Sequence, residues 1–195
     1  MTKQTIKVGE LPNDGTGDSL RNAFIKVNAN TDELYNIHGW AYYQDSLTIP
    51  SLTITTTESK LTINGGGSNS NNSYLPFEIR GVSELWDTTD NYITPISVGD
   101  SYTVRLDLEI LSKTGSPTIL DLTLDIGGGA SSTINIVERV LGLSKTPPYK
   151  LSIGFPIFTL TTFNTNGGQF FLSTDTGTVD IGDRAISIYR ISKGL

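Results

Sequence analysis

Apolar and polar side chains alternate through "YTVRLDLEIL" (102–111) as far as Ile110. Val104, Leu106, Leu108 and Ile110 fall on one side, and Arg105, Asp107 and Glu109 on the other. Successive side chains of a strand point to opposite faces, so this spacing predicts a β-strand with one buried and one wet face. "TILDLTLDI" repeats the pattern with Leu120, Leu122, Leu124 and Ile126, and sets Asp121 and Asp125 toward water. "SLTIPSLTIT" alternates through Leu47, Ile49, Leu52 and Ile54, and "KLTI" through Leu61 and Ile63. "TINIV", "YKLSIGF", "FTLTTF", "QFFLST" and "DRAISIYRI" carry similar runs toward the C-terminus. Turn-forming clusters such as "NGGGSNSNNS" (64–73) and "GGGASS" (127–132) separate them. About nine or ten short strands with such punctuation predict a mainly β chain folded as an antiparallel β-sandwich, and that number suits a jelly roll. "ISVGDSYTVRLDL" and "VDIGDRAISIYRI" share one order, apolar residue, Gly-Asp, then strand. This predicts a tight turn or bulge at each strand entrance.

One segment departs from period two. Across 19–37 the apolar positions are Leu20, Phe24, Val27 and Leu34, with Thr31 in register between them. Spacings of 4, 3, 4 and 3 make a heptad seam, with Leu20, Val27 and Leu34 at d and Phe24 and Thr31 at a. Arg21, Asn22, Asn28, Asp32 and Asn36 occupy the opposite face. A helix of that length is about 28 Å long and marginal alone. Its narrow stripe favours packing on copies of itself over packing on the β domain. Asp18 or Ser19 can cap its first amides. The preceding "NDGTGD" reads as a turn, and His38-Gly39 as the stop. Trp40, Tyr42 and Tyr43 follow and suit a junction between helix and sandwich. The expected division is an arm and turn over 1–18, a trimerising helix over 19–38 and a β-sandwich over 39–195.

The formal net charge of −6 opposes phosphate binding, so nucleic acid is not an expected partner. The absence of cysteine excludes disulfides and thiolate metal sites. No apolar run approaches the ~18 residues of a membrane span, and the start lacks the apolar core of a secretion signal. His38 is the single histidine, too few for a His-based metal cluster. "DGTGD" precedes a helix, but Asp14 and Asp18 oppose an anion there, and calcium-loop spacing is absent. Asp175-Thr176-Gly177-Thr178 copies the aspartic protease signature, whose chemistry needs two carboxylates sharing a proton. Here it lies between "FFLST" and "VDIGD", where it reads as a hairpin turn. No cofactor and no enzymatic activity are expected. Tyr74, Trp86, Tyr92 and Tyr149 are candidate glycan contacts at loop positions, with 64–73 as the candidate apical loop.

The segment "NDGTGDSLRNAFIKVNANTDELYN" resembles one near the N-termini of tailed-phage virion proteins of the fibre and baseplate type. Gly9, Pro12, Asn13, Asp14, Gly15, Thr16, Gly17 and Asp18 match the arm of that pattern. Leu20, Arg21, Ala23, Phe24, Lys26, Asn28, Asn30, Glu33, Leu34 and Tyr35 match its helix. Thr31 stands where the pattern usually has Phe, which thins the seam at its second a layer. The remainder resembles a trimeric phage-tip or tumour-necrosis-factor-like jelly roll, through its strand count and its terminal "VDIGDRAISIYRI". The resemblances imply a homotrimeric structural protein on the phage particle, with Leu20, Phe24, Val27, Thr31 and Leu34 at the trimer interface. Ile6, Val8, Leu11, Pro12, Asn13, Asp14, Gly15, Thr16, Gly17 and Asp18 would attach it to another virion protein of capsid, collar or tail. Its length suits a short fibre, decoration protein or adaptor better than a long fibre. The alternatives are a carbohydrate-binding tip that recognises a host glycan, and a tail-fibre or baseplate adaptor.

Overall fold

The computed structural model describes residues 4–10, 15–35, 38–45, 51–75, 84–129 and 133–194. Helix α1 (Leu20–Tyr35) comes first, followed by β1 (Gly39–Gln44), β2 (Leu52–Ile54) and β3 (Ser59–Lys60). A small hairpin of β4 (Trp86–Asp87) and β5 (Tyr92–Ile93) precedes the long β6 (Ser101–Thr114), β7 (Ile119–Asp125), β8 (Asn135–Gly142) and β9 (Tyr149–Phe158). A short helix α2 (Thr161–Asn166) leads to β10 (Gln169–Thr174) and β11 (Thr178–Ser192). One sheet has the order β1-β11-β6-β9, with β2 beside β11 beyond the end of β1; the other has the order β3-β10-β7-β8. Every named pair is antiparallel. From β6 onward the chain changes sheet between β6 and β7, between β8 and β9, between β9 and β10, and between β10 and β11. A five-stranded and a four-stranded layer with this winding form a jelly-roll sandwich, the architecture expected from the alternation.

The alternation works as read. Val104, Leu106, Leu108 and Ile110 are fully buried, as are Leu120, Leu122 and Leu124. Phe155 of β9 meets Phe170 of β10 edge-on at 5.8 Å, joining the two layers. Trp86 stacks near Phe170 at 6.2 Å, and its indole N–H donates to the Ile63 carbonyl at 2.9 Å. Each such large apolar side chain contributes about 1.5–3 kcal/mol on burial.

Several local expectations change. "FTLTTF" does not continue as strand: β9 ends at Phe158 and residues 161–166 turn into α2. Phe163 is buried there, and Gly167 ends the helix with φ of +71° while its N–H donates to the Phe163 carbonyl. Asp125 is buried rather than wet. Its carboxylate accepts from the amides of Gly127 and Thr133 and so closes the loop after β7. The 64–73 loop is not a free tip. Asn71 exchanges backbone hydrogen bonds with Tyr42, and Gly67 donates to the Gln44 carbonyl, so the loop covers the outer edge of β1. Residues 46–50, read as part of an alternating run, lie outside the described residues.

Both Gly-Asp expectations are met, in different ways. Gly99, with φ of +89°, turns the chain before β6, and β11 bulges between Ile181 and Arg184. Two arginines of β11 are buried, each against an aspartate distant in sequence. Arg184 pairs with Asp45 where β1 leaves the sheet, and the Asp45 amide also donates to the Arg184 carbonyl at 2.9 Å. Arg190 pairs with Asp100 at 2.9 Å. Asp100 further accepts from Ser97, from the Tyr102 hydroxyl and from the Gly194 amide. Burial alone would raise its pKa, but the bonds from Gly194, Arg190 and Ser97 outweigh that and hold the carboxyl below the usual range.

A depressed carboxylate stabilises the fold above its ordinary pKa, and that contribution is lost as pH falls through the folded value. The urea midpoint should therefore stay level from pH 7 to 5 and drop below about pH 4. Asp100→Asn should flatten that drop. Asp45→Ala, which strands the buried Arg184 guanidinium, should cost about 3–5 kcal/mol in urea unfolding at pH 7; a loss under ~1 kcal/mol would mean that water solvates the guanidinium.

Candidate assembly site

Helix α1 starts at a serine cap. Ser19 Oγ accepts from the Asn22 amide at 3.3 Å, and the Ser19 carbonyl accepts from Ala23 at 2.9 Å. Asp18 is thereby released for a different task. The chain reverses before the helix, and the arm runs back along it. The Asp18 amide donates to the Lys7 carbonyl at 2.8 Å, and the Lys7 amide donates to Asp18 Oδ2 at 2.8 Å. Lys26 Nζ reaches Asp18 Oδ2 at 2.7 Å and the Thr5 carbonyl at 3.1 Å. Further along, the Asn30 side-chain amide donates to the Gln4 carbonyl and accepts from the Gln4 amide, each at 2.9 Å. Lys26 and Asn30 are four residues apart, so one helix stripe supplies both hands of the clip. The hydrogen bond from Lys26, then that from the Lys7 amide, hold the Asp18 carboxyl below its usual range.

Gly17 is needed where the arm passes. A Cβ there would lie 3.1 Å from Gly9 N, the Lys7 carbonyl oxygen and Val8 C, all backbone atoms with little room to give. Of the residues read as attachment points, Ile6 is half-buried and Val8 is 90% exposed. Gly15, Thr16 and Gly17 are exposed, and Asp18 anchors the clip. Leu11, Pro12, Asn13 and Asp14 lie outside the described residues.

The clip leaves the seam open. Leu20 is 75% exposed, Phe24 58%, Val27 41% and Leu34 65%, and Thr31 is exposed with them. At about 100° per residue, these five side chains share an arc of roughly 80°, and Ala23, Lys26 and Asn30 centre roughly 90° to one side. The arm thus occupies one flank of an uncovered apolar stripe. An exposed apolar stripe of this kind marks a surface that meets another molecule.

The aromatic candidates do not converge. Trp86 is a core residue, not a surface contact, because the sandwich needs its ring and Ile63 takes its N–H. Tyr74 stacks on Trp40 at 5.0 Å, and Trp40 on Tyr189 at 6.3 Å, at the end of β1 nearest the helix. Tyr149 pairs with Ile110 near the far end of β6, while Tyr189 pairs with Thr103. Those two β6 positions are roughly 23 Å apart. Tyr92 lies half-buried in the β4–β5 hairpin. Asp175 accepts from the Thr118 hydroxyl and from the amides of Thr118, Ile119 and Thr176, and these bonds, the hydroxyl first, hold its carboxyl low. It brackets a turn in which Gly177 adopts φ of +59° against the Thr114 carbonyl.

The sequence of the family of bacteriophage T4 gp9/10-like proteins, N-terminal part, matches residues 3–106, just over half of the 195. Baseplate wedge protein gp10 of Enterobacteria phage T4 is 58% identical over 33 residues, which are 17% of this chain. The matched stretch spans only 6% of that relative's length. Among solved structures, the Eiger TNF of S. frugiperda aligns over 81% of this chain and 95% of its own, with 8% identity and a TM-score of 0.49. PRD1 vertex protein P5 aligns over 80% and 97%, with 10% identity and a TM-score of 0.44. At these scores the fold assignment rests on the strand order, not on either likeness.

If the clip orders the arm, Asn30→Ala and Gly17→Ala should each speed amide exchange at Gln4 and Lys7 on the order of tenfold, with the β6 amides unchanged. Equal exchange in parent and variants would show that these contacts do not hold the arm.

Proposed function

The chain belongs to the bacteriophage T4 gp9/10-like family, and from that premise we propose that it is a trimeric structural protein of the tail baseplate. As a member of this family it is a component of the phage virion. Its helix joins three copies through Leu20, Phe24, Val27, Thr31 and Leu34. Its arm and the "NDGTGD" turn dock on a neighbouring virion protein, and the sandwich projects from that anchor. The likeness of a short segment to a baseplate wedge protein favours the tail over capsid decoration.

One observation carries the self-association: a stripe with 4-3-4-3 spacing lies exposed along a helix whose neighbouring flank already holds its own arm. That spacing seats knobs into holes only against a helix of like spacing. A copy of this chain presents such a helix at the same height. No catalytic role enters this reading, because the aspartate of the protease-like signature is committed to a turn.

Phe24→Asp tests the reading. Three carboxylates in one buried layer would each cost several kcal/mol to desolvate, so the variant should sediment as a monomer where the parent forms a trimer. Ile25→Asp, which lies off the stripe, should leave the trimer intact. A parent that stays monomeric at high micromolar concentration would overturn self-association through the helix.

A further inference from the structure

In a parallel bundle each helix turns one flank of its seam to one neighbour and the other flank to the other neighbour. Here the two flanks are unlike. One carries Arg21 and Asn28. The other carries Ala23 and Asn30, and the arm is laid over it. Where a bundle usually places long side chains, this helix has a small alanine and an asparagine whose amide is fully engaged by the Gln4 backbone. The space beside the seam is filled by extended main chain instead.

We infer that the arm is a part of the interface between copies: each arm lies in the groove between its own helix and the next, with Ile6 and Val8 against the Arg21 end of the neighbouring copy's outer flank. The inference rests on the self-association proposed above and names the surface it uses. Two observations carry it. The arm is fixed directly beside the open stripe, so any helix seated on that stripe also meets the arm. Val8 is 90% exposed on an arm whose polar backbone is held by Asp18, Lys26 and Asn30, an apolar side chain presented outward from the clipped segment. The heights agree as well. Lys7 is tied to Asp18 and Thr5 to Lys26, which sets Ile6 beside the first turns of the helix, where Arg21 of the next copy would lie.

The chain has no cysteine, so a designed pair reports cleanly. Within one copy, the arm and Arg21 lie on opposite sides of a helix about 10 Å thick, beyond the ~4 Å between Cβ atoms that a disulfide allows. Full-length Ile6→Cys/Arg21→Cys, mildly oxidised, should therefore run as covalent dimers and trimers on a denaturing gel. Each single variant should remain largely monomeric there. If the double variant associates by light scattering yet runs only at monomer mass, the inference is overturned while the helix seam stands. If it and the parent scatter as monomers, the seam reading fails and takes this inference with it. A second variant avoids disturbing the clip: Val8→Asp, at an exposed position, should weaken association about tenfold or more by losing one buried valine contact. Association equal to that of the parent would overturn the placement of the arm.

Discussion

The sandwich depends on one strand. β11 runs through fifteen residues in the middle of its sheet, pairing with β6 along one side and with β1 and then β2 along the other. Two short strands must share one long edge, so the chain has to leave and rejoin that edge. The departure is at Asp45, and the bulge between Ile181 and Arg184 absorbs the change of register there. The ion pairs of Arg184 with Asp45 and of Arg190 with Asp100 hold the two ends of the β1 contact. Buried pairs of this kind add little net stability compared with apolar residues of like volume. What they supply is register. A slip of one residue would turn Ile186 and Ile188 to water and bring Ser187 and Tyr189 inward. Because Gly39 is fixed opposite Arg190, the same register decides where the helix enters the sandwich.

Strand periodicity was legible because both faces of β6 and β7 obey one simple demand, apolar inward and polar outward. It failed where a residue answered to something other than its strand. Asp125 sits at a strand end and serves the next loop, so its charge is enclosed by amides that no local pattern advertises. Residues 159–163 look like strand because Thr and Phe favour strands, but Phe163 is needed as a plug and Gly167 lets the chain turn back. Arg184 and Arg190 share the inward face of Ile186 and Ile188, but nothing local names the partners, 139 and 90 positions away, that let them be buried there. The helix and its apolar stripe were legible for the opposite reason: they depend on spacing alone. The clip was not, because Lys26 and Asn30 look like solvated helix residues until the turn brings Gln4 and Lys7 beside them. Gly17 was the available signal, a second glycine closer to the helix than a simple turn requires.

Helix α1 separates two kinds of contact. Toward its own arm it uses charge-assisted and amide hydrogen bonds; along its seam it offers hydrocarbon. The Asp18–Lys26 pair lies near the surface, so water and salt weaken it in a single chain. If a second helix covers the seam, water is displaced from that neighbourhood and each of these bonds strengthens. Arm order and association then favour each other, since a copy that meets an already fixed arm loses less conformational freedom than one that must order it. The polar Thr31 layer fits such a design. Its hydroxyl can return to the carbonyl four residues back, which keeps the layer satisfied but adds less apolar contact than the Phe of the resembling proteins. A seam weakened there leaves more of the association energy to the arm and its groove. Self-assembly of the bare chain and docking on the particle would therefore be linked steps, both acting through the arm that Asp18, Lys26 and Asn30 hold in place.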